Sequence, residues 1–143
     1  MPKKCNLLET VVMYPDNWDV TGPVDDGESE GFMIESPNGM FFSLNRYAGR
    51  NDFEHILREA VAVMNAEYEE VESETYVSEE PFEKQSGAEL QFYCNNLVIT
   101  SRLLAIPHQS DVLLVQMQAE NRDFDKNELV FAAMLKSMRD SLA

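Results

Sequence analysis

The chain has little cysteine, little positive charge and no long apolar run. Its two cysteines, Cys5 and Cys94, are too few for a disulfide scaffold, and neither lies at a Cys-x-x-Cys or Cys/His metal-binding spacing. No apolar stretch approaches the ~20 residues that a membrane-spanning helix needs. The N-terminal segment lacks a sustained apolar core and a small-residue cleavage pattern, so we expect no signal peptide. These absences predict a soluble, cytoplasmic protein that folds without disulfides.

Basic residues are outnumbered, with 11 Lys and Arg against 26 Asp and Glu, which gives a formal net charge of −15. No Lys or Arg occurs between Lys4 and Arg46, or between Arg58 and Lys84, and this leaves acidic tracts at 16–30 and 67–83. Binding to nucleic acid or to anionic lipid depends on basic side chains. We therefore expect neither partner, and favour a protein partner with a basic or apolar surface.

Motifs for catalysis and cofactor binding are missing as well. There is no Gly-rich phosphate loop and no G-x-S-x-G sequence. His55 and His108 stand apart from any ligand or nucleophile at a suitable spacing, so surface histidines are the favoured interpretation. The segment 25–30, DDGESE, lacks the alternating ligands of a calcium loop, and a solvated loop is favoured over a cation site. We expect no enzyme activity, metal or cofactor.

The first half of the chain predicts three strands and a helix. An apolar, β-branched segment at 8–14 predicts a first strand, and the Gly-, Pro- and acid-rich segment at 21–31 predicts an exposed loop. Asn38-Gly39 between two apolar runs predicts a hairpin. A helix over 52–66, capped by Asn51 or Asp52, follows from apolar residues at helical spacing, namely Phe53, Ile56, Leu57, Ala60 and Met64.

The second half predicts four strands and a final helix. Residues 68–78 alternate with period two, and so do residues 88–94, with a tight turn at Asn95-Asn96. The run 97–106 is apolar on both faces, and a further strand follows at 112–119. A stripe at helical spacing defines the C-terminal helix. The positions predicted to point inward from the two alternating strands are Val71, Ser73, Thr75 and Val77, and Ala88, Leu90, Phe92 and Cys94.

These elements have the order βββαββββα, and their short connections demand antiparallel neighbours. Because one strand is apolar on both faces and two amphipathic helices are available, we expect a helix on each face of the sheet. The fold class is therefore α+β, with a single antiparallel sheet of about six or seven strands in one domain, 1–143.

Several segments resemble the PsbP/DcrB-like superfamily, which includes the Ran-binding Mog-type proteins. They are VVMYPDNWDV at 11–20, SPNG at 36–39, NDFEHILREAV at 51–61 and FAAMLKSMRDSL at 131–142. The similarity spans roughly residues 8 to 142. It implies an antiparallel sheet flanked by helices and a binding or accessory role without catalysis. No partner-contacting motif can be transferred residue by residue.

Two functional hypotheses follow. The first is a protein-binding accessory domain that uses its acidic surface, with candidate partner-binding residues Trp18, Asp25, Asp26, Glu28 and Glu30. For Trp18, a structural role at a sheet end is favoured over an interface role. The second hypothesis is a small-molecule-binding or enzymatic domain with a pocket between sheet and helix. Self-association as a homodimer through an exposed sheet edge is compatible with either.

A few residues have two open interpretations. Cys94 is expected to be structural, whereas Cys5, near the terminus, is expected to be exposed and open to oxidation. Four methionines fall in predicted strands. Core packing is favoured for them, and an adaptable apolar surface is the alternative if one sheet face is partly open: Met13, Met33, Met40 and Met117.

Overall fold

The computed structural model describes residues 2–76 and 86–142. Within these residues the chain forms nine strands and two helices. The strands are β1 Lys3–Leu7, β2 Thr10–Tyr14, β3 Asp19–Asp25, β4 Glu30–Glu35, β5 Phe41–Tyr47, β6 Glu72–Tyr76, β7 Ser86–Cys94, β8 Leu97–His108 and β9 Asp111–Glu120, and the helices are α1 Phe53–Glu67 and α2 Asn121–Ser141.

Seven of these strands form one antiparallel sheet in the order β3-β4-β5-β9-β8-β7-β6. Each neighbouring pair is antiparallel. Strand β5 pairs along its whole length with β9, which is distant in sequence, from Phe41↔Gln118 to Tyr47↔Val112. The α+β class and the single antiparallel main sheet of about six or seven strands are confirmed, although five strands rather than the expected three precede α1.

One helix packs on each face of this sheet, as expected. On one face, Ile56, Leu57 and Met64 of α1 join buried residues of β7, β8 and β9 in a single cluster. On the other face, α2 contributes a buried stripe to a second cluster with residues of β4, β5, β8 and β9. The stripe consists of Phe124, Phe131, Met134, Leu135 and Met138.

The expected cap of α1 is wrong in one detail, since Asp52 makes no side-chain capping bond and pairs with Arg50 instead.

The N-terminal region differs from the single strand expected at 8–14. Two strands, β1 and β2, form their own antiparallel hairpin outside the main sheet. Their two-residue turn is made by Leu8 and Glu9, both with positive φ, a conformation that usually selects Gly or Asn. The sequence therefore carries no ordinary turn signal there. The hairpin lies on the α2 side, where Cys5 and Val12 are buried in the α2-side core cluster.

The predicted loop at 21–31 is also wrong in its first half, because Thr21–Asp25 belong to β3. This strand lies at the edge of the sheet, and its pairing with β4 shifts register between Thr21 and Val24, around Gly22 and Pro23. Gly and Pro are tolerated at edge strands and bulges, where a ladder hydrogen bond can be missing. Only residues 26–29 form the connecting turn.

Both predicted hairpins are confirmed. Between β4 and β5, the Ser36 N–H donates to the Met40 carbonyl at 2.8 Å, and Gly39 takes the positive φ that the turn requires. Between β7 and β8, Asn95 and Asn96 both adopt positive φ, as expected for a two-residue turn.

Burial confirms the inward positions of β7 but not those of β6. Ala88, Leu90 and Phe92 are buried. In β6, by contrast, Ser73 and Thr75 are exposed although they point to the same side. The reason is that β6 is an edge strand that α1 does not cover. The predicted inward residue Val77 lies outside the described residues.

The cysteines and methionines have mixed outcomes. Cys5 is buried rather than exposed, and this burial raises the pKa of its thiol, which lowers its reactivity. Cys94 is half-buried against the α1-side cluster. Met40 and Met117 pack in the core as favoured, whereas Met13 and Met33 are partly exposed.

Candidate binding surface

The face of the sheet under α1 is only partly covered by that helix. α1 packs on β7, β8 and β9, and the strands β3, β4 and β5 lie beyond it. On the opposite face, buried residues of β4 and β5 pack in one cluster with the N-terminal hairpin, Trp18 and α2. The two faces therefore differ, and one of them leaves three strands accessible.

The strand register identifies which side chains occupy this uncovered region. One row of paired residues runs across the sheet from β3 to β7 as Thr21↔Met33↔Ser43↔Gln116↔Leu103↔Ala88. Directly paired residues point to the same face of a sheet. Leu103 and Ala88 are buried beneath α1, Gln116, Ser43 and Met33 are half-buried, and Thr21 is exposed. Side chains in this row are therefore buried beneath α1, half-buried on β9, β5 and β4, and exposed on the edge strand β3.

Two flanking rows have the same form, and together with the first row they define what we call the open face. One runs Glu35↔Phe41↔Gln118, and the other runs Val24↔Gly31↔Asn45. The open face therefore mixes apolar side chains with amides and hydroxyls. Its members are Thr21, Val24, Met33, Phe41, Ser43, Asn45, Gln116 and Gln118.

A hydrogen-bonded set of side chains marks the boundary between α1 and the open face. The Gln116 amide Nε2 donates to the Ser101 hydroxyl at 2.9 Å and to Gln118 Oε1 at 3.2 Å. The same nitrogen lies 3.9 Å from the sulfur of Met64 on α1. Because Ser101 is fully buried, this contact satisfies a hydroxyl that would otherwise be costly to bury. It also fixes the orientation of the Gln116 amide.

The acidic residues singled out from the sequence lie together at the turn between β3 and β4, at one end of the open face. Asp25 accepts the Gly27 N–H at 2.8 Å, and Asp26 accepts the N–H groups of Glu28 and Ser29 at 2.9 Å. The bonds from Ser29 and Glu28 lower the pKa of Asp26. Asp25, Asp26 and Glu28 are exposed, and Glu30 is half-buried.

This turn is fixed to the sheet through a buried serine. Ser29 is buried, and its hydroxyl accepts a hydrogen bond from Asn45 Nδ2 at 2.9 Å. Asn45 is itself paired with Gly31, where an added Cβ would lie 2.5 Å from the Asn45 nitrogen. The carboxylates of the turn are therefore held in a defined position beside the open face.

Trp18, the fifth predicted partner-binding residue, is not on this surface. Its side chain is 5% exposed and packs edge-on against Phe131 of α2, with ring centroids 6.0 Å apart. It belongs to the core cluster on the α2 side. Trp18 therefore fills the structural role favoured from the sequence, and its ring is not accessible to a partner.

A groove between α1 and the sheet edge corresponds to the pocket of the second hypothesis. Its volume is about 450 Å³, and Leu57, Val61 and Ala88 provide apolar lining. Arg58, Asn65 and Ser73 add polar groups at its margins. The groove is open to solvent along β6, unlike the concave, mostly enclosed sites that bury small ligands.

A smaller polar depression of about 120 Å³ lies near the turn of the N-terminal hairpin and includes His108. Arg46 dominates it but is already paired, with Asp111 at 2.8 Å and with Glu9 at 3.1 Å. Arg46 also donates to the Leu8 carbonyl at 2.9 Å. Since two carboxylates neutralise its charge, Arg46 serves to hold the turn and offers little attraction to an anionic ligand.

The other histidine, His55, lies on the exposed side of α1 and contacts Glu59 at 2.9 Å. Within 2–76 and 86–142, no three His, Cys, Asp or Glu side chains converge in an arrangement able to hold a metal ion. Neither helix found in this part of the chain is both long and apolar enough to cross a bilayer.

The sequence could not identify the open face, because that face depends on where α1 lies over the sheet. A weak signal exists in β5, whose residues alternate between buried Phe42 and Leu44 and half-buried Phe41, Ser43 and Asn45. A strand covered on both faces is expected to be apolar at both sets of positions. Polar residues at 43 and 45 therefore indicate that one side of β5 is less covered.

Comparisons with known proteins agree on the architecture. No family model and no curated protein matches the sequence. Among solved structures, cyanobacterial PsbP (CyanoP) from Synechocystis sp. PCC 6803 is 9% identical, with a TM-score of 0.63 over 96% of this chain and 89% of that one. LpqN of Mycobacterium tuberculosis, involved in cell envelope biogenesis, is 13% identical, with a TM-score of 0.55 over 94% of this chain and 80% of that one. The resemblance stated from the sequence is confirmed at the level of architecture, and the chain has the PsbP-like fold.

Proposed function

We propose that this chain is a non-catalytic, protein-binding accessory domain, and that its open face and the adjacent acidic turn contact the partner. The observation that carries this proposal is the asymmetry of the sheet. α1 covers β7, β8 and β9 and leaves the same face of β3, β4 and β5 accessible. Sheet faces that are neither covered nor fully polar are typical of interaction surfaces.

The composition of the open face supports this role. Met33 and Phe41 supply apolar contact area, and a methionine side chain can adapt to different partner shapes. Ser43, Asn45 and the two glutamines supply hydrogen-bonding groups within the same area. An apolar centre with a polar margin is typical of protein–protein interfaces.

The acidic turn supports the kind of partner that we propose. Asp25, Asp26 and Glu28 are exposed at the end of the open face, and their backbone is held by Asx-type hydrogen bonds. Such a fixed group of carboxylates favours a basic region on the partner and speeds its association at low salt. The partner that fits is a protein whose apolar patch lies beside basic residues.

The proposal is tested by affinity capture from a lysate of the source cells at low and high salt. The variants Met33→Asp and Asp26→Lys are expected to capture less of the partner than the wild type does. For Asp26→Lys this decrease is expected to be larger at low salt than at high salt. Leu129→Asp is the matched control, because Leu129 is 84% exposed on α2, on the opposite side of the sheet. Capture of no protein at either salt concentration, or equal capture by all variants, would contradict the proposal.

A second candidate is a ligand-binding or enzymatic domain, which the groove between α1 and β6 favours. A thermal-shift screen over metabolites and divalent cations tests it, with Ala62→Trp as the variant that fills the groove. A ligand that raises the melting temperature of the wild type but not of Ala62→Trp would support this candidate over the first.

The cytoplasmic location remains a prediction, which fractionation of the source cells would check.

A further inference from the structure

The strand β6 forms one edge of the main sheet. It pairs with β7 from Glu72↔Gln91 to Tyr76↔Gly87, and within residues 2–76 and 86–142 no other strand pairs with it. Its first four residues are all exposed. An edge strand presents a row of backbone N–H and C=O groups that can pair with a further strand.

The groove described above runs along this edge. Ser73 and Thr75 of β6 form one side, and Leu57, Val61 and Ala62 of α1 form the other. Ser73 and Thr75 pair with Leu90 and Ala88, which are buried under α1, so they point to the helix side of the sheet. A strand added beside β6 would therefore direct alternate side chains toward the groove.

The other side of β6 is strongly acidic. Glu72 and Glu74 pair with Gln91 and Glu89, which point away from α1. The segment 67–74 contains five glutamates and no Lys or Arg. On that face the guanidinium of Arg102 is paired with Glu89 and Glu128, and none of the ion pairs within residues 2–76 and 86–142 includes Glu72 or Glu74. The carboxylates of Glu72 and Glu74 are therefore available to charges on a neighbouring strand.

We propose that β6 is a second docking surface, distinct from the open face, which accepts an extended protein segment as an additional strand. In this segment Lys or Arg alternates with Val or a similar apolar residue. The basic side chains lie beside Glu72 and Glu74, and the apolar ones enter the groove next to Leu57 and Val61. Opposite charges on neighbouring strands stabilise pairing, and main-chain hydrogen bonds supply affinity.

Binding of labelled synthetic peptides, followed by fluorescence anisotropy at low salt, tests the proposal. The probe is Lys-Val-Lys-Val-Lys-Val-Lys, and its control has the same composition with all lysines before all valines. The control carries the same charge but cannot separate basic and apolar side chains onto two faces of a strand. The alternating peptide is expected to bind about tenfold more tightly than the control.

Two variants test the two sides of the strand. Glu72→Lys/Glu74→Lys is expected to weaken binding about tenfold or more and to bind the corresponding Glu-Val peptide instead. Its control, Glu54→Lys/Asp125→Lys, makes the same change in net charge at exposed positions elsewhere. Ala62→Trp is expected to block the groove, and Ala132→Trp, at an exposed position of α2, is its control.

Circular dichroism establishes that each variant is folded before binding is compared. Equal binding of the alternating peptide and of the control peptide, with all lysines before all valines, would overturn the proposal. Simple attraction to a chain of net charge −15 explains that result. Unchanged binding by Glu72→Lys/Glu74→Lys or by Ala62→Trp would overturn it as well, and so would an absence of binding. None of these outcomes bears on the open face, which the variants leave intact.

Discussion

The hydroxyl of Ser137 on α2 accepts a hydrogen bond from the backbone N–H of Met13 on β2 at 2.9 Å, and it donates to the Met134 carbonyl at 2.7 Å. One helical turn later, Ser141 accepts the Val11 N–H at 2.9 Å and donates to the Met138 carbonyl. Alternate N–H groups along the outer edge of β2 are thus paired with helix side chains. The N-terminal hairpin is attached to α2 by these bonds as well as by apolar packing.

The variant Ser137→Ala/Ser141→Ala tests this attachment. Loss of the two hydrogen bonds from the β2 N–H groups is expected to cost about 1–2 kcal/mol, and the better helix propensity of Ala offsets part of that loss. The net decrease in the free energy of unfolding, about 1 kcal/mol, is measured by urea denaturation. Hydrogen exchange should become faster at the Val11 and Met13 amides but not at Val115 in the central strand β9. Unchanged exchange at residues 11 and 13 would contradict the prediction.

The turn of the N-terminal hairpin offers a second prediction. Glu9 has a φ of 60°, in the left-handed region that disfavours residues with a Cβ. We expect Glu9→Gly to be more stable than Glu9→Ala by about 1 kcal/mol, because both lose the carboxylate but only Gly is relieved of the steric cost. The comparison is made by thermal and urea unfolding. Equal stability of the two variants would show that the turn is not strained at this position.

The carboxylate of Asp111 gives a prediction for pH. It accepts the Gly49 N–H at 2.9 Å and the Arg46 Nε–H at 2.8 Å, and these bonds lower its pKa below the usual range. A lowered pKa in the folded state means that the contribution to stability is complete above the ordinary aspartate pKa of about 4. That contribution is lost as the pH falls through the lowered value.

Asp111→Asn is therefore expected to be less stable than the wild type at neutral pH, and the difference should shrink below about pH 4. The measurement is urea unfolding over a series of pH values. Asp125→Asn, at an exposed position of α2, is the control and should follow the wild type throughout. A difference that does not vary with pH would indicate that packing, rather than charge, explains the effect of the Asp111 variant.

Trp18 provides a fourth prediction, because it is the single tryptophan of the chain and is buried against Phe131. Its fluorescence emission is expected at short wavelength in the native protein and at longer wavelength in urea. Trp18→Ala should lower the free energy of unfolding by about 3–5 kcal/mol, as large-to-small core substitutions do, whereas Trp18→Phe should cost less. A native spectrum like that of the unfolded protein would contradict the buried position.

The sequence predicts those parts of the fold that depend on local periodicity and turn chemistry. Asn38-Gly39 and Asn95-Asn96 identify two hairpins, and the apolar stripe from Phe53 to Met64 identifies α1. Local patterns do not predict strands and turns whose residues are unusual for those structures. β3 contains Gly22 and Pro23, and the turn after β1 has a leucine and a glutamate where Gly or Asn is usual.

The candidate surfaces were less predictable because they arise from tertiary placement. Composition identifies the acidic residues 25, 26 and 28, and the structure shows them exposed at one turn. For Trp18 the sequence favours the structural role that the structure shows, although a lone Trp fits either a core or an interface. The open face and the groove beside β6 depend on where α1 crosses the sheet. Neither of these two surfaces is encoded in a short segment of sequence.

The pairing of β5 with β9 also has a consequence for how the chain is made. During synthesis, β3, β4 and β5 emerge from the ribosome early, but the inner edge of β5 has no partner until residues 112–118 of β9 follow. A nascent chain in this interval exposes apolar strands with an open edge, a state prone to aggregation. A chaperone that recognises exposed apolar segments would therefore have the longest opportunity to act on the first third of this protein.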